Sequence, residues 1–319
     1  MRHKEFLRKF QSQSIAVVGD IMLDKYIFGK VYRISPEAPV PVIDVERERY
    51  VPGGAANAAA NVATLGGDAH LFGIVGNDLA KEILLDAVKS YSIDTSGVVS
   101  DARRQTIQKI RVVGQNQQLI RIDYEDKEYL DDNRGLQILK KIKEMERIDV
   151  MLISDYAKGS LSKELLRQMI AFARENKIPV IVDPKPRHMH FYKGCSLLTP
   201  NKTEAEEMSG IKLRTEQDVE RAGTILRDTL DCDVLLTRGE EGMSLFERNA
   251  NPVHIPTVAK EVFDVSGAGD TVIATLSLAI ASGATLKEAA MMANQAAGIK
   301  VSKLGTAPVL LKELEAMLS

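Results

Sequence analysis

Residues 264–271 (DVSGAGDT) have the residue types needed for anion binding and proton transfer. No bulky side chain is present between Ser266 and Asp270, and the segment leads into an apolar stretch, residues 271–281. Small residues let the backbone approach a ligand closely, and the N–H groups and dipole of a helix N-terminus attract anions such as phosphate. Asp270 is placed to accept a proton from a hydroxyl that attacks a phosphoryl group held there. The same residues also fit an ordinary Gly-rich turn with Asp270 as a helix-start residue, so this segment alone leaves both interpretations open.

Residues 51–66 hold a second candidate ligand contact, because a Gly53-Gly54 turn precedes an Ala-rich stretch that carries Asn57 and Asn61. The small residues of this stretch predict a tightly packed helix. Residues four apart lie on the same side of a helix, so both amides face one way. Two amides at that spacing suit hydrogen bonds to sugar hydroxyls, and helix packing with Asn57 as a buried polar residue is the alternative.

A third group of polar residues follows the first predicted strand. Gly19 and Asp20 come directly after the apolar run 15–18, and Asp24 lies four residues beyond Asp20. In open α/β sheets, ligands bind at the carboxyl ends of the strands. We therefore predict that Asp20 and Asp24 accept hydrogen bonds from sugar hydroxyls, with a simple loop cap as the alternative.

Short apolar runs that alternate with longer amphipathic runs must position these residues. The alternation is typical of βαβ units and predicts an α/β fold with a mostly parallel central sheet and helices on both faces. The predicted strands are residues 15–18, 71–75, 150–153, 179–182 and 234–237. The predicted helices, which begin with the N-cap types Ser, Thr or Asp, are residues 78–90, 131–145, 162–175, 215–229 and 285–301.

Two segments, about 26–50 and 105–123, break this rhythm with mixed polar and apolar strand patterns. The second predicts a hairpin with a polar, Gly-containing turn at 114–117. The first contains three prolines, which favour an edge strand or a bent connection. They are Pro36, Pro39 and Pro41. We predict that the two segments form a small β-sheet lid over the strand ends, attached to a single large α/β domain that spans residues 1–319.

Composition and charge exclude several classes of protein. The chain has 319 residues, and 42 Lys and Arg against 44 Asp and Glu give a net charge of −2, so no global basic field is available for nucleic acid or an anionic membrane. The polar segment 1–13 lacks the apolar stretch of a signal peptide, and residues 271–281 are too few to span a bilayer. Cys195 and Cys232 lack zinc-binding spacing and predict buried thiols in a reducing cytoplasm.

In combination, these elements resemble the ribokinase-like sugar kinases, also called the phosphofructokinase-B family. The early GGAAN element at 53–57 and the late DVSGAGD element at 264–270 are similar to that family's two signatures, in the same order and separation. NKTE at 201–204 resembles its element near magnesium and phosphates, and TRG at 237–239 resembles its nucleotide-binding strand end. The resemblance covers nearly the whole chain and implies an ATP-dependent phosphotransferase that acts on a sugar hydroxyl.

Four more elements resemble the D-glycero-β-D-manno-heptose 7-phosphate kinases within that family. They are residues 18–24, 33–41, 154–159 and 183–185. The implied reaction phosphorylates the anomeric hydroxyl and gives the 1,7-bisphosphate, a precursor of the nucleotide heptoses of lipopolysaccharide. Some relatives append a nucleotidyltransferase domain, whereas this chain stops at Ser319, so we expect the kinase step alone.

The resemblance assigns a role to each candidate residue. Asp270 is the implied catalytic base, and the backbone of Gly267, Ala268 and Gly269 is implied to bind the transferring group. The implied sugar-binding residues are Asp20, Asp24, Gly53, Gly54 and Asn57. The implied nucleotide-binding residues are Asn201, Lys202, Thr203, Glu204, Thr237, Arg238, Gly239, Asn294 and Gly298.

Cations are expected on both sides of the implied reaction. On the nucleotide side, the resemblance implies Mg²⁺ beside the ATP phosphates, positioned through water by Glu204, and a monovalent cation, K⁺, at Asp264 and nearby carbonyls. On the sugar side, a substrate that already carries a phosphate needs basic residues, and we favour Arg111 and Lys185. The other basic candidates are Lys109, Arg121 and Lys158. Solvation, or pairing with neighbouring carboxylates, is the alternative role for the lid arginines.

Other functions stay open at this point. Another kinase of the same fold, for a different sugar, sugar phosphate or nucleoside, fits the same motifs. A non-catalytic sugar or nucleotide sensor would not need Asp270 as a base. A dinucleotide-dependent oxidoreductase would need a G-x-G-x-x-G fingerprint, which the Gly19-Asp20 strand end lacks. The Pro-bounded lid strands, whose outer face must be covered or solvated, predict a homodimer through the lid.

Overall fold

Alternating apolar strands and amphipathic helices make up the computed structural model, which describes residues 2–115, 117–125, 128–129, 131–259, 261–303 and 307–318. The strands are β1 (Ser14–Gly19), β2 (Ile21–Ile34), β3 (Pro41–Gly54), β4 (Asp68–Val75), β5 (Val98–Ser100), β6 (Ile107–Gly114), β7 (Gln117–Tyr124), β8 (Val150–Ser154), β9 (Val180–Asp183), β10 (Leu197–Leu198), β11 (Asp233–Thr237), β12 (Met243–Phe246) and β13 (Val253–Ile255). The helices are α1 (Arg2–Lys9), α2 (Ala55–Thr64), α3 (Leu79–Lys89), α4 (Asp132–Lys143), α5 (Lys163–Glu175), α6 (Lys202–Ser209), α7 (Glu216–Leu230), α8 (Ala268–Ala281), α9 (Leu286–Val301) and α10 (Leu311–Met317).

The main sheet contains nine of the described strands, in the order β13-β12-β11-β10-β9-β8-β1-β4-β5. The strands from β11 to β5 pair in parallel, and β12 and β13 add an antiparallel edge. Along β1, Ile15 and Val17 belong to the core on one face of the sheet, and Ala16 and Val18 belong to the core on the other. A strand that is buried on both faces needs a helix layer on each side. The predicted α/β fold with a mostly parallel sheet is confirmed.

The two helix layers contain the helices that the sequence pattern predicts. Buried residues of α2, α8 and α9 lie on one face of the sheet, and those of α4, α5 and α7 lie on the other. Each of the five predicted helix starts has a capping side chain that accepts a hydrogen bond from the N3 amide, which satisfies one of the unpaired donors of the first turn. These caps are Asp78, Asp131, Ser162, Thr215 and Thr285. We call the main sheet with its two helix layers the body.

A separate four-stranded sheet, the lid, has the order β3-β2-β6-β7. The Pro-containing β3 is an edge strand, as predicted, and β6 and β7 form the predicted hairpin; its turn residue Asn116 lies outside the described residues. The lid sheet begins at Ile21, before the predicted boundary at 26, because the first residues of β2 are buried against the body while they already pair with β3. The lid is therefore a direct extension of the chain that leaves β1.

Several short elements escaped the sequence prediction. The strand β10 has two residues, and β13 has three, which is too little for a period of two to show. The terminal helices α1 and α10 have eight and seven residues.

Cys195 and Cys232 are free and buried, as expected of packing residues. Within the described ranges, no helix has both the length and the apolar character needed to cross a membrane.

Candidate active site

The candidate site lies at the edge of the main sheet where its parallel strands end. Register pairs Gly19 at the end of β1 with Ser154 at the end of β8, and Ser154 in turn with Asp183 at the end of β9. The first turns of α2 and α8 meet beside these ends through the hydrogen bond between Asn57 and Asp270, and Asp24, on the inner end of the lid strand β2, is close enough to raise the pKa of Asp270. Loops that follow parallel strands thus converge on one edge, as expected for a ligand site in an α/β sheet.

The turn before α8 has the backbone expected of an anion-binding helix start. Gly267 is the N-cap residue and has a φ of 76°, a left-handed value that favours glycine. Gly267 and Ala268 are half-buried and Gly269 is exposed, while the Ala268 amide donates to the Val265 carbonyl at 3.1 Å. Asp270 in the first turn is only 5% exposed. A ligand can therefore reach the glycine turn, and a buried carboxylate lies beside it.

The Asp270 carboxylate is held through both of its oxygens. The Asn57 amide donates to Oδ2 at 2.6 Å, and the Tyr156 hydroxyl donates to Oδ1 at 3.2 Å. Burial raises the pKa of Asp270 to about 6, against the opposing effect of these two hydrogen bonds, and Asp24 raises it further. A carboxylate with a pKa near 6 is ionised at neutral pH and is still basic enough to take a proton during a reaction.

Asn57 and Asn61 face the same side of α2, as their spacing predicts, but that side faces α8. The Asn61 amide donates to the Asn57 carbonyl at 2.9 Å, and the Thr271 hydroxyl donates to Asn61 Oδ1 at 2.8 Å. Asn61 therefore joins α2 to α8, in agreement with helix packing. Asn57 holds the candidate base, a contact that the sequence interpretation did not include.

Asp20 closes the loop that follows β8. Its carboxylate accepts backbone hydrogen bonds from Tyr156, Lys158 and Ser160 at 2.9, 3.1 and 3.0 Å. Asp20 is fully buried, and burial together with the nearby Asp155 carboxylate raises its pKa. Both Asp20 oxygens bind the backbone of the loop, so Asp20 positions Tyr156 and affects Asp270 indirectly, through Tyr156. These contacts agree with the alternative role of Asp20 as a loop cap.

A second buried carboxylate, Asp155, fixes the same loop from behind. It accepts hydrogen bonds from the His188 ring and the Tyr192 hydroxyl, both at 2.6 Å, and from the Ala157 amide at 2.7 Å. The other ring nitrogen of His188 lies 2.7 Å from the Tyr129 hydroxyl. Since Asp155, His188 and Tyr192 are buried and each has a hydrogen-bond partner, they stabilise one conformation of the loop.

Gly53 and Gly54 allow the end of β3 to pass close to the sugar-side carboxylates. A Cβ atom on Gly53 would lie 2.7 Å from Asp24 Oδ2, and one on Gly54 would lie 2.3 Å from the Asp20 carbonyl oxygen. Gly54 also has a φ of 57°. Asp24 itself is paired with Arg111, whose Nη1 lies 2.6 Å from Asp24 Oδ1. The predicted sugar-side residues are therefore together in space.

The predicted nucleotide side begins at Glu204. Asn201 and Glu204 form a capping box at the start of α6, with both bonds at 3.0 Å, and the second Glu204 oxygen contacts the Lys185 ammonium. Burial and the neighbouring Glu204 raise the pKa of Asp183 well above its usual range. A Cβ atom on Gly269 would lie 3.9 Å from Asp183 Oδ2. Asp183 therefore adjoins the glycine turn, and Glu204 and Lys185 lie close to Asp183.

The TRG element follows β11 beside this group. The Thr237 amide donates to the Pro200 carbonyl at 2.9 Å, and Thr237 bridges to Asn201. The Arg238 guanidinium is buried and turned toward Glu216 and Ser244, with its two shortest bonds to Glu216 at 2.5 and 2.9 Å. Glu216 raises the pKa of Arg238. Of the other predicted contacts here, Gly239 opens a tight turn, Thr203 is exposed, and Lys202 pairs with Glu241 at 3.5 Å.

Asn294 and Gly298, on α9, lie against the segment 256–259. The Asn294 amide donates to the Pro256 carbonyl at 2.7 Å, and a Cβ atom on Gly298 would lie 3.0 Å from Val258.

Asp264, on the other side of the glycine turn, accepts from the Ser266 amide at 2.8 Å. Burial lowers the pKa of the Lys300 ammonium, and the Asp264 carboxylate opposes that shift. The monovalent-cation site at Asp264 stays a prediction.

Three functional candidates had no role in the sequence-based set, although the heptose-kinase-like elements 154–159 and 183–185 contain them. Tyr156 contacts the candidate base Asp270, Asp155 orders the loop that carries Tyr156, and Asp183 adjoins the glycine turn. The available signal was position, because each residue ends or directly follows a predicted strand, at the edge where ligands bind.

Comparisons with known proteins identify the family. A family model described as pfkB family carbohydrate kinase matches residues 12–313, and the chain belongs to that family. Among curated proteins, it is 50% identical over 295 residues to the bifunctional protein HldE of Geobacter metallireducens, covering 92% of this chain and 60% of the relative. It is 45% identical over 307 residues to that of Gluconobacter oxydans, covering 96% and 64%. The chain thus spans less than two thirds of these relatives.

Solved structures share the fold. Arabidopsis thaliana ribokinase complexed with ribose and ATP aligns with a TM-score of 0.77 at 21% identity, over 96% of this chain and 98% of that one. Phosphofructokinase-2 from Escherichia coli in complex with fructose-6-phosphate aligns with a TM-score of 0.78 at 19% identity, over 96% and 97%. The ribokinase-like fold predicted from the motifs is confirmed.

Proposed function

We propose that the protein is an ATP-dependent kinase that phosphorylates the anomeric hydroxyl of D-glycero-β-D-manno-heptose 7-phosphate. The observation that carries the proposal is the buried Asp270, which lies in the first turn of α8 beside an accessible glycine turn and is held through both oxygens. The four heptose-kinase-like sequence elements and the similarity to bifunctional HldE proteins support the choice of sugar.

In the proposed reaction, an Asp270 oxygen accepts the proton of the anomeric hydroxyl as that oxygen attacks the γ-phosphorus of ATP. Each carboxylate oxygen has two lone pairs, so the bonds from Asn57 and Tyr156 leave room for the substrate hydroxyl. The backbone of Gly267 and Gly269 and the dipole of α8 stabilise the charge on the transferring group. Asp270 gains the proton, the sugar oxygen gains the phosphoryl group, and ADP leaves.

The acidic residues beside the glycine turn suit Mg²⁺. Asp183 and Glu204 supply hard oxygen donors, and the raised pKa of Asp183 reflects buried negative charge that a cation would offset. A bound Mg²⁺ would neutralise charge on the nucleotide phosphates. Glu204, fixed by the capping box, would hold it through water, and Lys185 would keep Glu204 in place.

The remaining predicted nucleotide contacts belong to the same proposal. The segment from Thr237 to Gly239 and the α9 residues Asn294 and Gly298 would border the nucleoside of ATP. Because the Arg238 guanidinium is bound to Glu216, Arg238 would contribute to this border through its backbone. K⁺ at Asp264 would adjoin the glycine turn from the opposite side.

We also propose that two copies pair through the outer face of the lid. Ile120 and Ile122 are 55% and 41% exposed on β7, and register places them beside Val112 and Ile110 on β6. An apolar stripe on an edge hairpin is a typical site for self-association. A cytoplasmic location fits the two buried free thiols and the need for ATP.

The deciding experiment is a substrate panel with ATP and Mg²⁺, followed by ADP release and by phosphorus NMR of the product. We expect the highest kcat/KM for heptose 7-phosphate and a new phosphate on its anomeric oxygen. A preference for fructose 6-phosphate, ribose or a nucleoside would instead establish another kinase of this family. Binding without ADP release for every sugar would point to a sensor.

A further inference from the structure

The face of the lid that looks onto the site is strongly basic. Direct pairing across β3, β2, β6 and β7 places residues on one side of the sheet with Asp24, since paired residues of neighbouring strands point the same way. The basic members of this inner face are Arg47, Arg49, Lys109, Arg111 and Arg121, against two acidic members, Asp24 and Asp123. In a chain with a net charge of −2, such a concentration of positive charge over a site favours an anionic ligand.

Four of the basic side chains near the site are already paired with carboxylates. Arg111 pairs with Asp24 at 2.6 Å, and Arg121 pairs with Asp123 at 3.0 Å. Lys185 contacts Glu204, and Lys158 contacts Glu125. A cation that holds a carboxylate has less net attraction for a phosphate, because the carboxylate repels it. Arg111 and Lys185, the residues favoured from sequence, therefore have their charge engaged.

Lys109 differs from these residues. It makes no ion pair or hydrogen bond with any residue that the structure describes, although it is partly buried and lies opposite Asp24 on β2 and Asp123 on β7. Those two carboxylates are held by Arg111 and Arg121. Its ammonium lies over the Tyr156 ring, 5.2 Å from the centroid. Burial lowers its pKa, and Asp24 opposes that effect. An ammonium that has lost water without gaining a carboxylate can gain strongly from an incoming anion.

We propose that Lys109 binds the phosphate that the sugar substrate already carries, and that it is the specificity-determining cation of the sugar side. The inference rests on the proposed sugar kinase function. Tyr156 links the two ends of the substrate: its hydroxyl donates to Asp270 at 3.2 Å, while Lys109 lies over its ring. A sugar whose reactive hydroxyl meets Asp270 can thus extend along Tyr156 and present its distal phosphate to Lys109. Arg47 and Arg49, further along the inner face, would add to the field.

The test compares Lys109→Met with wild type by calorimetric binding and by steady-state kinetics. The ligands are heptose 7-phosphate and the same heptose without its phosphate. We expect the variant to bind the phosphorylated sugar about 10- to 100-fold more weakly, the size of one charge-assisted hydrogen bond. Binding of the unphosphorylated sugar should stay within about twofold, and Lys109→Arg should recover part of the loss. Lys30→Met, an exposed lysine of the same sheet that pairs with Glu46, is the matched control.

An equal loss on both sugars, or no loss on either, would overturn the role of Lys109. A fall in kcat with unchanged affinity for both sugars would also overturn it, because the charge would then act on the transferring group. If Lys109→Met fails to fold, Lys109→Gln and Lys109→Arg decide the same question. If wild-type protein rejects heptose 7-phosphate but accepts fructose 6-phosphate, the heptose assignment fails, and the Lys109 comparison is made with fructose 6-phosphate and fructose.

Discussion

On the body side of the site, Asp20, Asp155 and Asp270 are buried, and each carboxylate accepts two or three hydrogen bonds. On the lid side, β7 is exposed along its length, and exposed ion pairs such as Arg121–Asp123 connect its side chains. Buried, fully paired carboxylates fix a geometry before substrate arrives, whereas exposed ion pairs contribute little to stability. The body thus fixes the geometry around Asp270 in advance, whereas the exposed ion pairs of β7 add little to it.

The largest effect should come from the proposed base, Asp270. We expect Asp270→Asn to lower kcat by about 10²- to 10⁴-fold, because the amide cannot accept the proton. ADP release measures the rate, and a melting curve shows whether the fold is kept. Glu288→Gln, an acidic residue in the first turn of α9, is the control and should keep full activity. An Asp270→Asn protein with wild-type turnover would contradict the assignment.

The body network should be the next most sensitive. Asp155→Ala removes the acceptor for His188, Tyr192 and the Ala157 amide, so we expect a loss of about 3–5 kcal/mol in the free energy of unfolding. Asp123→Ala in the lid should cost less than about 1 kcal/mol. Urea denaturation of the two variants measures the contrast. Equal losses in the free energy of unfolding would show that the buried network at Asp155 contributes no more to stability than the exposed ion pair at Asp123.

Association through the lid should respond to its outer face alone. We expect Ile120→Ser combined with Ile122→Ser to weaken dimerisation at least tenfold and to leave the melting temperature of the body unchanged. Light scattering across a concentration series measures the dimer fraction. Ile225→Ser, an isoleucine that is 40% exposed on α7, should have no effect. A wild-type protein that is monomeric at working concentration would refute the pairing.

The smallest effect should be a shift in pH dependence. The proposed base Asp270 must be ionised to accept a proton, and its pKa is about 6, so kcat/KM should fall tenfold per pH unit below that value. The Tyr156 hydrogen bond lowers this pKa, so Tyr156→Phe should move the acidic limb to higher pH by less than about one unit. A pH–rate profile measures the shift. An unchanged acidic limb would show that Tyr156 does not affect the pKa of Asp270.

Local signals predicted much of the fold. Asp78, Ser162 and Thr285 begin helices because a side-chain acceptor next to an apolar periodic run is a local feature. The Asn201-x-x-Glu204 spacing is likewise a capping-box pattern, so the start of α6 was available from sequence even though the family resemblance alone drew attention to it.

Long-range contacts were not predictable in this way. Tyr156 and Asp270 lie 114 residues apart in the chain, and His188 and Asp155 lie 33 apart, so only the sheet order brings each pair together. The pairing of Arg238 with Glu216 depends on how α7 packs beside β11. Residue types and strand ends located the site, but they did not show which partners each side chain would find.

The long strand β2 connects the site to the outer tip of the lid. Its register with β3 shifts between Phe28 and Gly29 and again between Val31 and Arg33, and irregularities of this kind are where a strand bends. Along the strand, Asp24 lies four residues, roughly 13 Å, before the shift at Phe28. The tip at Ile34 lies five residues, roughly 17 Å, beyond Gly29. Both register shifts lie between the lid tip and Asp24, so a tilt imposed at the tip would be taken up largely by bending at these two points. The outer end of the lid can therefore change its angle while Asp24 keeps its place beside the site.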